Sequence, residues 1–342
     1  MWVRVPLPAP PDPANEISAA MSLIKLGHRE TVLFTPAAPY NFDATFHKPS
    51  YFPSSDNAWE KGSFWMSMLW KGRELGLKCE KNGTLDRPEI KVGIYSQKAL
   101  PKDFMDSLFP EIRWRFNFDS SISEFSEKYK NEKILGTVIR KYKGMKPRAA
   151  NSLYETLIIF IVLQNATVKR SVQMLENLFE KYGKKVEYDG RILSTFWEPQ
   201  KIAASSEQEL RDLKIGYRAK FIKRITEQFV AGEIDEFALR KMGREEVKRA
   251  MLKLYGIGPA SVEYLLFEYF YFYGKLETLP PWEQKIISRL IFDKELLSIE
   301  EILGFFRQFK GWEKLAFHYI WEDVFWRRKH EHIAWLEKEI RL

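Results

Sequence analysis

The pattern of apolar and polar positions changes near residue 119. From about residue 30 to 118, short stretches rich in aromatic and β-branched residues alternate with Gly, Pro, Asn and Asp, which predicts strands separated by turns. The predicted strands are Thr31–Thr35, Phe42–Phe46, Ser63–Trp70, Ile90–Tyr95 and Ile112–Phe118. Several of them alternate polar and apolar residues, which is typical of an antiparallel sheet with one buried face.

After Asp119 the apolar residues recur at the spacing of an amphipathic helix. Ser152-x-x-Glu155 also predicts a capping box at the start of one helix. The predicted helices are Ser123–Tyr129, Ile134–Lys141, Leu153–Leu163, Val168–Tyr182, Glu207–Leu213, Ala219–Val230, Glu245–Tyr255, Ala260–Tyr273, Glu283–Ile291, Ile299–Phe306 and Glu313–Arg327. The sequence therefore predicts an α+β fold, with an antiparallel β domain over residues 21–120 and a large all-α domain over residues 121–342.

The first twenty residues differ from both parts. They contain five prolines and few large apolar side chains, a composition typical of a flexible or polyproline-like arm. We expect residues 1–20 to form such an arm, and we assign it no function.

The charge of the chain is concentrated in its second part. Of the 342 residues, 54 are Lys or Arg and 46 are Asp or Glu, a net charge of +8. Residues 1–120 carry 15 basic and 14 acidic side chains, whereas residues 121–342 carry 39 and 32. A solvated Lys- and Glu-rich surface accounts for this charge by itself, and a polyanion-binding second half is the alternative.

Cysteine and histidine content limits the metal chemistry. The single cysteine, Cys79, excludes a disulfide framework, a four-cysteine iron–sulfur cluster and a cysteine-based zinc site. The only neighbouring histidines, His330 and His332, have a spacing that separates them on a helix surface. The longest apolar run, Leu157–Leu163, is too short to cross a bilayer. We expect a cytoplasmic protein with no metal held by side chains and no membrane partner.

The most specific local signal is a pair of glycines between two predicted helices. Gly256-Ile257-Gly258-Pro259 follows an amphipathic helix, and its proline suits the first turn of the next helix. Two glycines permit a tight turn that presents backbone N–H groups near a helix N-terminus, an arrangement that binds phosphate. An ordinary helix–helix turn is the alternative, but the apolar helices on both sides favour a helix-hairpin-helix DNA-binding motif.

The resemblance extends well beyond the hairpin. The chain resembles the helix-hairpin-helix DNA glycosylase superfamily, in the branch of 3-methyladenine DNA glycosylase II and the 8-oxoguanine DNA glycosylases. Five segments match in order over most of the chain: Pro39–Phe46, Ser152–Val168, Ile215–Lys220, Gly256–Pro259 and Trp312–Trp321. The resemblance implies a nucleoid-associated protein that binds double-stranded DNA containing a damaged base.

The same resemblance implies a set of DNA contacts. Enzymes that act on a base flip it out of the duplex and fill the gap with a side chain. By position, Asn165 resembles the gap-filling residue, with Gln164 beside the base pocket; a helix N-cap is the alternative role for Asn165. The other implied DNA contacts are Tyr217, Arg218, Lys220, Gly256, Gly258 and Ala260. The hairpin carbonyls are compatible with a monovalent cation, and no other cofactor is implied.

The family carries its catalytic aspartate in a Pro-containing turn after the hairpin, and this chain has no aspartate there. The nearest carboxylate is Glu283, six residues before Arg289, which fits the family's spacing from carboxylate to arginine. A carboxylate below the sugar stabilises the positive charge that develops when the base leaves. We predict that Glu283 has this role, although an acid in the first turn of a helix is also favourable for the helix alone.

Relatives that also cleave the DNA strand carry a lysine directly after the hairpin, where this chain has Ala260. Alanine cannot form the Schiff base with the sugar, so we predict a monofunctional enzyme with water as the nucleophile. Lys285, two residues past Glu283, is an atypical lysine that could replace the missing one, although a lysine on a solvated helix surface is the favoured interpretation.

A pocket for a flat base is the last implied feature. Its predicted lining is Tyr264, Trp282, Lys314 and His318, of which the last two correspond to pocket positions of 8-oxoguanine relatives. Aromatic side chains would suit a cationic alkylated purine by stacking and cation–π attraction, although most aromatic residues of the chain must belong to its core.

These features predict a monomeric base-excision DNA glycosylase that hydrolytically removes an alkylated, deaminated or oxidised purine from duplex DNA. Two alternatives remain open. One is a catalytically silent protein that binds damaged DNA, and the other is a bifunctional glycosylase and lyase with an atypical lysine. The sequence does not identify the lesion.

Overall fold

The structure is a computed structural model that describes residues 23–51 and 53–340. The proline-rich arm predicted for residues 1–20 lies outside the described residues. Within the described part, no helix is long and apolar enough to cross a membrane. The predicted α+β organisation is confirmed, with an antiparallel sheet in the first part and helices dominating the second.

The first part is a five-stranded antiparallel sheet with strand order β2-β6-β5-β4-β3. One face packs against helix α2, whose Leu108 and Ile112 are fully buried on the sheet. The bounds of these elements are β2 His28–Phe34, β3 Asn57–Glu60, β4 Ser63–Trp70, β5 Arg73–Lys81, β6 Ile90–Ser96 and α2 Lys102–Arg115.

A second small sheet covers the other face of the first. Strands β7 (Lys184–Tyr188) and β8 (Arg191–Thr195) form a hairpin, and β7 also pairs in parallel with β1 (Leu23–Lys25). Trp65 of β4 donates a hydrogen bond to Asp189 in the hairpin turn (2.7 Å). The expectation of one buried face is therefore wrong: β4 is covered on both sides, which explains why it buries Phe64 and Met66 on one face and Trp65 on the other.

Two predicted strands are helical. Phe42–Phe46 forms helix α1, because the Asn41 side chain accepts a hydrogen bond from the N–H of Ala44 (3.1 Å) and the two phenylalanines stack one turn apart. Ile112–Phe118 was expected as a strand from its alternation, yet it begins inside helix α2. There Arg115 pairs with Glu111 one turn earlier, a helical contact that the alternating pattern concealed.

The second part consists mainly of helices that pack around two apolar cores. The hairpin β7–β8 also belongs to this part of the chain, and the sequence analysis did not predict it. The helices are α3 Ser123–Tyr129, α4 Leu135–Lys141, α5 Leu153–Leu163, α6 Val168–Tyr182, α7 Pro199–Ala203, α8 Glu207–Leu210, α9 Arg218–Val230, α10 Glu236–Leu239, α11 Arg244–Met251, α12 Pro259–Glu268, α13 Pro281–Phe292, α14 Ile299–Phe306, α15 Glu313–Glu331 and α16 Ala334–Glu339.

The predicted capping box at α5 is confirmed. The Ser152 hydroxyl accepts the N–H of Glu155 (3.3 Å), and the Glu155 carboxylate accepts the N–H of Ser152 (2.7 Å). This cap fixes the start of α5, and the end of α5 leads directly into the turn that carries Gln164 and Asn165.

Candidate active site

The glycine hairpin joins α11 to α12 at the surface. Gly256 has a φ of +86°, and a Cβ there would lie 2.5 Å from the ring of Phe221, so only glycine fits. Gly258 is the N-cap of α12 and has open space where a Cβ would point. Within the described residues, the exposed N–H groups of Gly258 and Ala260 have no acceptor. They point out of the N-terminus of α12, an arrangement that binds an anion.

The turn after α5 is held against this hairpin. The Gln164 side chain donates to the carbonyl of Gly256 (2.7 Å), and the exposed Asn165 side chain donates to the hydroxyl of Tyr217 (3.3 Å). Asn165 has a left-handed backbone (φ +48°) and does not cap α6. The N-cap role considered for it is wrong, because Thr167 accepts the N–H of Arg170 there (3.2 Å).

The segment Tyr217–Lys220 lies beside the same turn, but its side chains differ in accessibility. Tyr217 is exposed and packs on Phe221. Arg218 is buried, and its guanidinium bonds the main-chain carbonyl of Gln164 under the Tyr217 ring, so it positions the turn rather than reaching solvent. Lys220 is half-buried, and its Nζ lies 5.5 Å from the centre of the Tyr255 ring.

A cavity of about 340 Å³ opens next to the hairpin, between the start of α12, the turn before α13 and the start of α15. Its walls bring together Ala260 and Tyr264 from α12, Glu283 from α13 and Lys314 from α15. Tyr264, Glu283 and Lys314, which were predicted as site residues, therefore lie at the same cavity as Ala260. Pro280 and Glu263 also line this cavity.

Among the charged side chains that line the cavity, Glu283 is less exposed to solvent than Lys314 and Glu263. The residue is 1% exposed, lies in the first turn of α13 and accepts a hydrogen bond from the Tyr264 hydroxyl. Burial raises the pKa of Glu283, while the positive charge of Lys314 opposes that rise. The helix N-terminus also favours the ionised carboxylate.

Lys314 is an amine in apolar surroundings. The residue is 6% exposed, and its Nζ lies 5.0 Å from the centre of the Tyr264 ring and 5.2 Å from that of Phe317. Among the residues that the structure describes, this Nζ makes no hydrogen bond and no ion pair. Burial lowers the pKa of Lys314, and the nearby Glu283 opposes this effect.

Three other candidates lie outside the cavity wall. Trp282 is 38% exposed and packs edge-on against Trp321. His318 is buried between Glu268 and Glu322, and burial holds its pKa well below the usual value. Lys285 points to the surface and pairs with Glu339.

Sequence reasoning missed one carboxylate of the cavity and part of the exposed surface. Glu263, one turn after Pro259, lines the cavity but pairs with Arg244 (3.0 Å) and Lys248 (3.3 Å). Glu263 follows Ala260 by three residues, and residues at this spacing share one face of a helix, so the sequence could have indicated that Glu263 lies beside Ala260. On the surface, Arg224 lies over the ring of Tyr255, which extends the basic and aromatic face beside the hairpin.

Within residues 23–51 and 53–340, no group of three His, Cys, Asp or Glu side chains is placed to hold a metal ion. Within these residues the site therefore consists of an exposed hairpin with free N–H groups and, next to it, a cavity lined by the buried carboxylates of Glu283 and Glu263 and by the buried amine of Lys314.

Residues 158–338 match the family model described as HhH-GPD superfamily base excision DNA repair protein. A DNA-3-methyladenine glycosylase of Bacillus subtilis is 21% identical over 254 residues, covering 70% of this chain and 83% of the relative. Among solved structures, the 3-methyladenine DNA glycosylase from Archaeoglobus fulgidus superposes with a TM-score of 0.68 at 15% identity (88% and 99% covered). The 8-oxoguanine glycosylase/lyase of Clostridium acetobutylicum superposes with a TM-score of 0.64 at 18% identity (88% and 99% covered).

Proposed function

Because the chain belongs to the HhH-GPD superfamily of base excision DNA repair proteins, we propose that it is a DNA glycosylase that removes a damaged purine from duplex DNA. The observation that carries the proposal is the position of Glu283, a buried carboxylate in a cavity directly beside the hairpin. Departure of the base leaves a positively charged sugar, and a fixed carboxylate in a water-poor site stabilises that charge.

The excision step uses water as the nucleophile in this proposal. Ala260, which follows the hairpin, has no group that could attack the sugar. An ionised Glu283 can both stabilise the sugar cation and orient the attacking water. Tyr264 donates a hydrogen bond to this carboxylate and so holds it in place.

DNA is bound on the face around the hairpin. The free N–H groups at the start of α12 take one phosphate, and Asn165 occupies the gap that the flipped nucleotide leaves. The contact from Asn165 to Tyr217 and that from Gln164 to Gly256 hold this turn next to the phosphate site.

A monovalent cation at the hairpin remains part of the proposal. The carbonyls of Leu254 and Gly256 each accept one hydrogen bond, from the Ile257 N–H (3.2 Å) and the Gln164 side chain (2.7 Å). A carbonyl oxygen has two lone pairs, so the main chain fits a cation there. Such a cation would orient the hairpin for phosphate binding.

The test of the function is single-turnover excision from duplexes that each contain 3-methyladenine, hypoxanthine, 8-oxoguanine or uracil. We expect release of at least one damaged purine, with an undamaged duplex as the control. Binding to these duplexes without excision of any base would overturn the enzymatic proposal in favour of a silent damaged-DNA binder.

We expect Gly258→Asp to weaken binding to damaged and undamaged duplex by a similar factor. The change adds a negative charge where the phosphate would lie, and phosphate contacts position the protein without reading sequence. The logarithmic salt dependence of binding should become shallower by about 1. The variant should fold, because the Gly258 Cβ direction is open and its φ is −92°. Fluorescence anisotropy at several salt concentrations measures both effects.

Two variants control for this result. Gly258→Ala adds the Cβ without the charge and should bind nearly as well as the wild type. Gly243→Asp makes the same substitution at the N-cap of α11, where the glycine Cβ position is also accessible. Equal binding by Gly258→Asp and the wild type would remove the hairpin from the interface.

A further inference from the structure

The buried amine of Lys314 is not used by the hydrolytic mechanism. It lies on the wall of the cavity that also contains Glu283 and Ala260. A lysine that is 6% exposed normally pairs with a carboxylate, yet within the described residues the Nζ of Lys314 has neither an ion pair nor a hydrogen bond. Its Nζ lies 5.0 Å from the centre of the Tyr264 ring and 5.2 Å from that of the Phe317 ring. An unpaired amine held in a cavity is available for a ligand or for chemistry.

The product of base excision is an electrophile that suits such an amine. Hydrolysis of the glycosidic bond leaves an abasic deoxyribose, whose ring-opened form carries an aldehyde at C1′. Amines condense with aldehydes, and desolvation favours the neutral, nucleophilic form of a lysine. Burial lowers the pKa of Lys314 and so increases that form.

We infer that Lys314 forms a Schiff base with the abasic sugar and that the protein is therefore also an abasic-site lyase. This inference rests on the proposed function only in that the same cavity receives the sugar. The amine comes from α15, whereas Ala260, which follows the hairpin, lies in α12. Lys285, the lysine that the sequence suggested for this chemistry, is excluded by its surface pairing with Glu339.

The chemistry balances with groups that the cavity supplies. The neutral Nζ of Lys314 adds to C1′, the protonated carboxyl group of Glu283 gives one proton to the former carbonyl oxygen, and loss of that oxygen as water leaves an iminium between C1′ and Nζ. The Glu283 carboxylate then removes a proton from C2′. A double bond forms between C2′ and C3′ as the bond from C3′ to the 3′-phosphate oxygen breaks, and the phosphate leaves. Water finally hydrolyses the imine, which restores the free lysine.

Borohydride trapping tests the inference on DNA that already contains one abasic site, so no excision is needed. Reduction converts the iminium to a stable amine that links protein and DNA and survives denaturing electrophoresis. We expect a crosslink with the wild type, and its loss by at least about tenfold in Lys314→Met and Lys314→Arg. The arginine variant keeps the positive charge but cannot form the imine, so it separates nucleophilic from electrostatic roles.

Lys285→Met is the matched control, since it removes a lysine two residues from Glu283 that lies outside the cavity, and its crosslink should equal that of the wild type. Anisotropy with abasic DNA verifies that the Lys314 variants still bind. No crosslink with the wild type, or an undiminished one in both Lys314 variants, would refute the inference. Excision of a damaged base without any crosslink would leave the glycosylase proposal standing, and a crosslink without excision would leave only the lyase.

Discussion

Glu283→Gln should slow excision of the damaged base by roughly 10²-fold or more, because it removes one preorganised charge from the position below the sugar. The amide keeps the shape and the position of the side chain, so binding to lesion DNA should persist. The folded protein should be as stable as the wild type or more stable, since a buried carboxylate with a raised pKa costs free energy. Single-turnover kinetics and thermal unfolding measure the two effects.

Glu301→Gln is the matched control for this substitution. Glu301 is also the third residue of a helix, α14, and it caps that helix at the surface through Ser298. If Glu283 served only the helix N-terminus, the two variants would behave alike. Glu263→Gln tests the rival carboxylate of the cavity. A large loss of excision in Glu263→Gln, with Glu283→Gln unaffected, would assign the catalytic role to Glu263.

The fold could be predicted best where periodicity and caps agree. Leu153–Leu163 and Val168–Tyr182 match the structure to the residue, since each has a sustained apolar face and a capping side chain, Ser152 or Thr167. Strand Ser63–Trp70 was equally clear. The prediction was wrong for the short aromatic segment Phe42–Phe46. Aromatic residues can stack one helical turn apart, and they can equally pack on the face of a β-sheet, so their presence does not distinguish the two structures.

The hairpin β7–β8 was missed although the sequence contains a signal for it. Asp189-Gly190 joins the two strands with a positive φ at both residues, 48° and 71°, and Asp-Gly is a strong two-residue hairpin turn. The long helical pattern on both sides concealed it. What could not be predicted is its partner, since the pairing of β7 with β1 and its cover over β4 depend on contacts between distant segments.

The candidate site was predictable as a set of residues but not as an arrangement. The hairpin follows from its glycine motif, Glu283 and Lys314 follow from the resemblance to the family, and the structure places Ala260, Glu283 and Lys314 at one cavity. Arg218, His318 and Lys314 are all buried, and their contacts distinguish them. Arg218 bonds the Gln164 carbonyl and His318 lies near Glu268 and Glu322, whereas the Nζ of Lys314 has no ion pair or hydrogen bond within the described residues. Burial depends on the packing of α12, α13 and α15, and local sequence does not encode it.

A buried charge network joins the two parts of the chain. Arg115 of α2 pairs with Glu111 (2.7 Å) and with Glu155 at the start of α5 (3.4 Å). Arg240 of α10 reaches the second oxygen of Glu111 (2.5 Å) and also pairs with Glu236. The side chains of Arg115 and Glu111 are almost completely inaccessible to solvent. The positive charges therefore compensate carboxylates that water cannot reach, and they do so across the boundary between the sheet and the helices.

Arg115→Met should destabilise the protein by about 3–5 kcal/mol, because it removes the positive charge that pairs with the buried carboxylates of Glu155 and Glu111, of which Glu111 keeps Arg240. Arg113→Met is the matched control in the same helix. Arg113 pairs with Asp119 at the surface, where the loss should be at most about 1 kcal/mol. Urea unfolding followed by circular dichroism measures both values. Arg115→Lys keeps the charge, so its loss of stability should fall between those of the two methionine variants.

Since the network joins the sheet to the helices, wild-type unfolding should be one cooperative transition. A loss below about 1 kcal/mol in Arg115→Met would show that the carboxylates become protonated or hydrated without cost, and that the two parts are held together by apolar packing alone.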